Sequence, residues 1–332
     1  MNFFLFLLFL FFTFEFTKKR CLNDKVDAFN KAVFITGCDS GFGHLLAKRL
    51  DSKGFQVFAG CLLPSSSGAS ELQKWCSQRL KIVELDVTQD DSVNRAFESV
   101  KDHLRSSGTK LWAVVNNAGV QRGFSLEISE GKDFKDCMEV NAFGPMRVTK
   151  AFLPLLKETK GRIVNVTSLS GRIAVREVMP YSMSKFAAGA FNDCLRQEMS
   201  TWGISVVSIE PELFKTPLTN VENLIINLNH IVSNLPNSVL WDYGKVYFKA
   251  FEKFMITFTG CACPNVELVV NDLEAAVIQK YPDNHYKPRR NLFFRFILFC
   301  FEIFPSSIQD IIVYIALFLL GLPKPKPTKA IG

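Results

Sequence analysis

Tyr181 and Lys185 stand four residues apart in Tyr-Ser-Met-Ser-Lys, ahead of the helix-forming run Phe186-Ala-Ala-Gly-Ala-Phe191. On a helix, positions i and i+4 share one face. An ammonium beside a phenol stabilises the phenolate and lowers its pKa from about 10. Tyr181 then becomes a base usable near neutral pH. Ser168, in Asn-Val-Thr-Ser-Leu-Ser-Gly, follows an apolar run and offers a hydroxyl to a reacting oxygen. Taken alone, a Tyr–Lys pair is more often a surface pair than a site. A second feature gives it weight. Thr36-Gly37-Cys38-Asp39-Ser40-Gly41-Phe42-Gly43 lies between an apolar run and an amphipathic one. Glycines at 37, 41 and 43 let the backbone approach a phosphate, and a helix N-terminus offers it free N–H groups. In that context the turn reads as a dinucleotide cradle.

The elements that must position these groups are legible as alternating patterns. Ala32–Thr36, Gln56–Gly60, Lys81–Asp86, Leu111–Asn116, Arg162–Thr167 and Ile204–Ile209 read as strands. His44–Lys53 and Ser92–Leu104 read as helices, the second with Val93, Phe97, Val100 and Leu104 at helical spacing. Such alternation predicts an α/β domain, a doubly wound parallel sheet, over residues 30–285. Parallel strand ends share one edge. Ser168, the glycine turn and Asn116-Asn117-Ala118-Gly119 can therefore converge there. Asp86 and Val87, after the third strand, are placed to meet an adenine ring. The end of the second strand, Gly60-Cys61-Leu62, carries neither the acid that binds a ribose 2′-hydroxyl nor a cation for a 2′-phosphate. Asp39 in the turn would repel such a phosphate, so NAD is expected over NADP.

Composition narrows the class. The chain has 332 residues, 48% hydrophobic and 21% charged, which excludes a disordered chain. Nine cysteines without a CxxC pair argue against a disulfide scaffold and against a metal site. The net charge of +7 concentrates at Lys18–Arg20, Lys287–Arg290 and Lys324–Lys329, each beside an apolar stretch. That distribution suits a membrane surface and not nucleic acid. Residues 1–20 read as a membrane anchor or signal-anchor, though the apolar run falls short of the roughly 20 residues of a full span. Positive charge after it puts the domain on the cytosolic side. Residues 291–322 are apolar on more than one helical face, as in membrane-associating or packing helices. Residues 323–332 form a basic, Pro-rich tail.

The motifs TGxxxGxG (Thr36–Gly43), NNAG (Asn116–Gly119), Asn141 in Glu-Val-Asn-Ala, Ser168 and YxxxK (Tyr181–Lys185) occur in one order. Together they resemble the short-chain dehydrogenase/reductase family over about residues 30–285. TGCDSGFG, Phe152-Leu-Pro-Leu-Leu and Lys160-Gly-Arg-Ile-Val-Asn are similar to its membrane-associated branch. That branch holds the retinol dehydrogenases, 17β-hydroxysteroid dehydrogenase type 2 and D-3-hydroxybutyrate dehydrogenase. The resemblance implies a Rossmann-like fold and hydride exchange between an alcohol and nicotinamide. Tyr181 is then the acid–base group and Ser168 the orienting hydroxyl. Lys185 tunes Tyr181 and holds the nicotinamide ribose, and Asn141 supports a water in the proton relay. Thr36, Gly37, Asp39, Ser40, Gly41, Phe42, Gly43, Asp86, Val87, Asn117, Ala118, Gly119, Pro211 and Thr216 would hold the cofactor, with Tyr181 and Lys185. One position departs from the pattern. Glu212 replaces the usual glycine after Pro211, where a side chain would crowd the cofactor and glycine's freedom at positive φ is lost.

Residues 213–263 should cover the substrate. Leu224, Leu228, Trp241, Tyr243, Tyr247, Phe248, Phe251, Phe254 and Phe258 make this stretch apolar and aromatic. With two apolar termini, it points to a small lipophilic alcohol, a retinol or hydroxysteroid, taken from membrane lipid. A small 3-hydroxy acid is the alternative, with Lys215, Lys245, Lys249 and Lys253 as candidate cations. A catalytically silent, membrane-tethered cofactor binder is the reading from another class. By analogy with the family, the helices around Met146–Lys157 and Ser184–Ser200 suit a homo-oligomer. Endoplasmic reticulum with a cytosol-facing domain is the expected location, with a mitochondrial membrane or a lumenal orientation as alternatives.

Overall fold

The structure, a computed structural model, describes residues 24–325 together with Thr13 and Thr17. The expected anchor over 1–20 otherwise lies outside the described residues, as does the tail beyond Pro325.

Seven strands form one sheet: β1 (Lys31–Thr36), β2 (Gln56–Cys61), β3 (Leu80–Glu84), β4 (Lys110–Asn116), β5 (Arg162–Val166), β6 (Ser205–Ile209) and β7 (His285–Tyr286). They pair in the order β3-β2-β1-β4-β5-β6-β7, every pair parallel. The order reverses at β1, and a crevice opens beyond the strand ends there. Helices α1 (Gly41–Ser52), α2 (Ser67–Trp75), α3 (Asp90–Ser107), α4 (Gly131–Met138), α5 (Gly144–Thr159) and α6 (Met179–Ser200) follow in chain order. Helix α7 (Val221–Asn234), α8 (Asn237–Gly260) and α9 (Glu267–Ile278) come after β6, and α10 (Leu292–Ile303) and α11 (Ser306–Leu319) after β7.

Central β1 shows why its residues form this strand. Ala32 to Ile35 are wholly buried, and successive side chains point to opposite faces. Val33 and Ile35 pack with Leu46 and Leu50 of α1 and Val269 and Leu273 of α9. Ala32 and Phe34 pack with Val100 of α3, Val148 and Phe152 of α5 and Leu195 of α6. A separate cluster joins Leu228 and Ile231 of α7, Phe251 and Phe254 of α8, Phe124 and Leu317. This is the lobe over the strand ends.

Several boundaries differ from the sequence pattern. Helix α1 begins at Gly41 and not at His44, because the glycine turn itself supplies the first helical turn. Helix α2 is capped by Ser66, whose hydroxyl accepts from Ala69 N. Its short polar sequence gave no apolar stripe to see. Between α4 and α5 the chain passes through a π turn, Glu139–Phe143. Helices α10 and α11 break at Pro305 as expected. They are not buried all round: Phe293 is 73% and Leu319 77% exposed, with Phe301 and Leu317 facing inward. No helix among the described residues is long and apolar enough to cross a membrane.

Candidate active site

The C-terminal strand ends open into a cavity of about 650 Å³. Its floor at β1 is built by close approach. Gly37 has φ of +69°, and a Cβ there would come within 2.8 Å of Ala118 Cα. The Thr36 hydroxyl accepts from Asn117 N at 3.0 Å and Ala118 N at 2.9 Å. Asn117 Nδ2 returns bonds to the Thr36 and Gly37 carbonyls, 2.9 and 3.0 Å. A Cβ at Gly43 would meet Asn117 Nδ2 at 2.4 Å. Thr36 and Gly43 thus stand behind the wall and fasten the first turn to the end of β4. Gly37, Asp39, Ser40, Gly41, Phe42, Asp86, Val87, Asn117, Ala118 and Gly119 line the cavity itself.

Asp39 reaches across to the end of β2. Its carboxylate accepts from Leu62 N at 2.9 Å and Leu63 N at 3.1 Å. The acid that strand lacks in sequence is supplied from the neighbouring turn. Asp86 accepts from the backbone and hydroxyl of Thr88, 2.9 and 2.7 Å, which fixes the loop after β3.

Ser168, Tyr181 and Lys185 line the same cavity. Ser168 follows β5 and accepts from Ser170 N at 3.0 Å. Tyr181 is on the first turn of α6 and hydrogen-bonds with Ser168. Lys185 lies one turn on, with Nζ 5.7 Å from the Tyr181 ring centroid. The expected lowering of the phenol is not what this geometry gives. Burial pushes Tyr181 up to about 12, and the Ser168 hydrogen bond only partly offsets it. Burial also brings Lys185 down to about 8. The physical reason is desolvation: Lys185 is buried and Tyr181 half-buried in the cavity wall, and Lys185 Nζ donates to the Val166 carbonyl at 2.9 Å.

Asn141 sits in the π turn, behind the cavity wall. It pairs with Val120, accepting from N at 2.9 Å and donating to O at 2.8 Å. Its Nδ2 also donates to Ser184 Oγ at 2.9 Å, and that hydroxyl donates to the Tyr181 carbonyl at 2.7 Å. Asn141 therefore bridges the loop after β4 to the helix that carries Tyr181.

Pro211, Glu212 and Thr216, after β6, also line the cavity, and the Pro211 carbonyl accepts from Leu169 N at 2.8 Å, beside Ser168. Glu212 does not take the positive φ that a glycine there would allow. Among described non-glycine residues only Asn30 and Lys160 have positive φ. The Glu212 side chain is buried against Arg290, accepting from Nε at 3.0 Å, from Nη2 at 2.8 Å and from the Arg290 backbone N–H. Two residues earlier, buried Glu210 accepts from Arg172 Nη2 and pairs with His285 Nδ1, both at 2.9 Å. The sequence shows Arg290 only as part of a basic cluster; its partner lies 78 residues away, and no local pattern marks the pair. The lobe contributes Leu213, Phe214, Leu218 and Phe258, and the C-terminal helices Phe294 and Leu320. Lys215, Lys245, Lys249 and Lys253 do not line the cavity; its lining cations are Lys185 and Arg290.

Residues 31–224 match the family profile described as short chain dehydrogenase. The chain is 39% identical to human 17-beta-hydroxysteroid dehydrogenase type 2, over 90% of this chain and 76% of that protein. It is 39% identical to rat mitochondrial D-beta-hydroxybutyrate dehydrogenase, over 81% and 80%. It is 41% identical to mouse retinol dehydrogenase 5, over 79% and 80%. Among solved structures, a short chain dehydrogenase from Burkholderia cenocepacia in complex with NADP shares the fold, with a TM-score of 0.62 and 22% identity. That match covers 84% of this chain and 96% of the other.

Proposed function

The chain belongs to the short-chain dehydrogenase family, an NAD(P)-dependent alcohol dehydrogenase by type, and from that premise we propose that it uses NAD to interconvert a lipophilic alcohol and its carbonyl. The observation that carries this reading is the shared cavity: Tyr181, Ser168 and Lys185 line it together with the glycine turn and Asp39. The residues fit a dinucleotide. Gly37 and Gly41 take positive φ and leave bare backbone at the start of α1. Asp39, held by Leu62 and Leu63, offers a carboxylate to ribose hydroxyls and repels a 2′-phosphate. When bound, nicotinamide supplies the carbon that accepts or gives hydride.

The chain's own residues do the rest. The Ser168 hydroxyl orients the substrate oxygen. Tyr181 takes the alcohol proton in oxidation and returns it in reduction. Lys185, one turn away, favours the phenolate once it is charged. Asn141 fixes the backbone on either side of that exchange and can support a water in the relay. Pro211 and Thr216, after the neighbouring strand β6, complete the cofactor side.

A retinol or hydroxysteroid fits the apolar lining of Ile173, Val175, Val178, Leu213 and Phe258. A small hydroxy acid would want a free cation, and the Arg290 guanidinium is engaged by Glu212. The exposed apolar faces of α10 and α11 adjoin the cavity through Phe294 and Leu320. They suit a lipid surface of the endoplasmic reticulum or a mitochondrial membrane, from which substrate enters. Exposed Phe143 and Met146 at α5 and Met183 and Phe186 on α6 suit a homo-oligomer contact.

The test is NADH formation by membranes carrying the expressed chain, wild type beside Tyr181→Phe, with NAD or NADP. The alcohols are all-trans-retinol, estradiol and D-3-hydroxybutyrate. Tyr181-dependent NADH with retinol or estradiol is expected. Turnover of hydroxybutyrate alone would replace the substrate class. Absence of any Tyr181-dependent signal would overturn the assignment.

A further inference from the structure

A second, smaller cavity of about 30 Å³ opens beyond the first. The two share six wall residues: Gln121, Val175, Val178, Leu213, Thr219 and Phe258. The small one therefore adjoins the space that Tyr181 lines. Most of its lining is apolar and comes from the lobe, with Phe251, Phe254 and Met255 of α8 and Leu224 of α7. A space of that size takes one water or one substituent of similar bulk.

One buried side-chain oxygen in this wall has no hydrogen-bond partner. Glu177 is 5% exposed, and its Oε2 is buried without a hydrogen bond. Its other oxygen, Oε1, accepts from Arg176 Nε at 2.7 Å. The remaining hydroxyls of the lining are committed. Thr219 Oγ1 donates toward the Phe214 and Thr216 carbonyls, and Thr259 Oγ1 toward Met255. An unpaired carboxylate oxygen in an apolar wall is costly, and costs that persist at a site's end point to a ligand. Burial also raises the Glu177 pKa, with Arg176 opposing it. Glu177 lies on the short 3-10 turn Arg176–Val178, which runs directly into α6 and Tyr181. It therefore stands four residues before Tyr181 on one continuous helical stretch.

We propose that Glu177 reads a second hydroxyl, at the far end of an extended apolar alcohol whose first hydroxyl lies at Tyr181. The carboxylate accepts that hydroxyl's hydrogen while the aromatic side chains of α8 cover the apolar body. A carbonyl at the same place has no hydrogen to give and faces the carboxylate unfavourably. The preferred substrate is a rigid diol over a mono-alcohol or a hydroxy-ketone. This inference rests on the reading of the chain as a dehydrogenase of lipophilic alcohols.

The experiment compares kcat/KM with NAD for estradiol, 3-deoxyestradiol and testosterone, and for all-trans-retinol, on wild type, Glu177→Gln and Glu177→Leu. Thermal melts verify that each variant is folded. Wild type should prefer estradiol to 3-deoxyestradiol by about tenfold or more, the effect of one buried charge-assisted hydrogen bond. Glu177→Leu should erase the preference. Glu177→Gln, whose amide can donate, should move the balance toward testosterone. An estradiol to 3-deoxyestradiol ratio that is the same in all three proteins overturns the proposal and leaves Oε2 to a buried water. Retinol turnover without any steroid turnover overturns it while the lipophilic-alcohol reading stands. No alcohol turned over at all overturns both.

Discussion

Asp39 Oδ2 accepts the Leu62 backbone N–H at 2.9 Å, so an acid from the first turn stands at the end of the second strand. Replacement by Asp39→Ser removes the charge and frees the Leu62 and Leu63 amides. NADH affinity should fall about tenfold and NADPH affinity should rise, the two moving in opposite directions. Nucleotide fluorescence titration reads both. An unchanged ratio would show that Asp39 does not set the preference.

The Glu212–Arg290 pair is unequal in burial: the carboxylate side chain is 1% exposed and the guanidinium 30%. Arg290→Ala leaves a buried carboxylate with only one backbone donor. Glu212→Gln leaves an arginine that water can reach. Urea unfolding should give roughly 3 kcal/mol lost in the first and about 1 kcal/mol in the second. The reverse order would contradict the structure.

Acid sensitivity follows from Glu210. Burial works against its charge, but hydrogen bonds from His285 and Arg172 prevail and hold it at about 2, against an ordinary 4.5. A carboxylate depressed in the folded state adds stability above pH 4.5 that is lost as pH falls toward 2. The contribution is about 3 kcal/mol at neutral pH. Glu210→Gln should flatten the acid limb of a stability profile in that window. A limb of unchanged slope would exclude Glu210 as its source.

Lys185 gives the opposite trade. Burial holds it at about 8, below its ordinary 10.5, so the folded state favours the neutral amine. Its contribution to stability is complete above pH 10.5 and is lost as pH falls through 8. Lys185→Met should therefore melt higher at pH 7, by about 2 kcal/mol after loss of the Val166 bond. The gap should close between pH 8 and 10.5 and reverse above that, where only the lost bond counts. NADH formation should fall by at least about a hundredfold. A variant less stable at pH 7 would refute the argument.

The legible parts of this protein were those encoded locally. The apolar run of β1 shows itself because both faces of a central parallel strand are covered. Tyr181 and Lys185 show themselves because a helix repeats within four residues. The glycine turn shows itself because Gly37 must pass close to Ala118. What escaped depends on distant chain. The Arg290 partner of Glu212, the reach of Asp39 to Leu62 and the unpaired Glu177 oxygen all arise from packing. Strand β7, two residues long, is too brief for any period to register. The π turn around Asn141 follows an i+5 pattern that amphipathic spacing does not reveal.

Glu210 and Glu212 flank Pro211, a residue of the cavity wall, and each is tied to the segment between β7 and α10. Arg289 Nη1 adds a bond to the Glu210 carbonyl at 2.6 Å. The catalytic unit therefore does not close at the end of its sheet. A gene fragment cut after β7 would retain every strand and every motif residue, yet lose the clasp on one side of its own nucleotide pocket. A unit that keeps this clasp runs through Arg290, and fragment boundaries drawn from the motifs alone fall short of it.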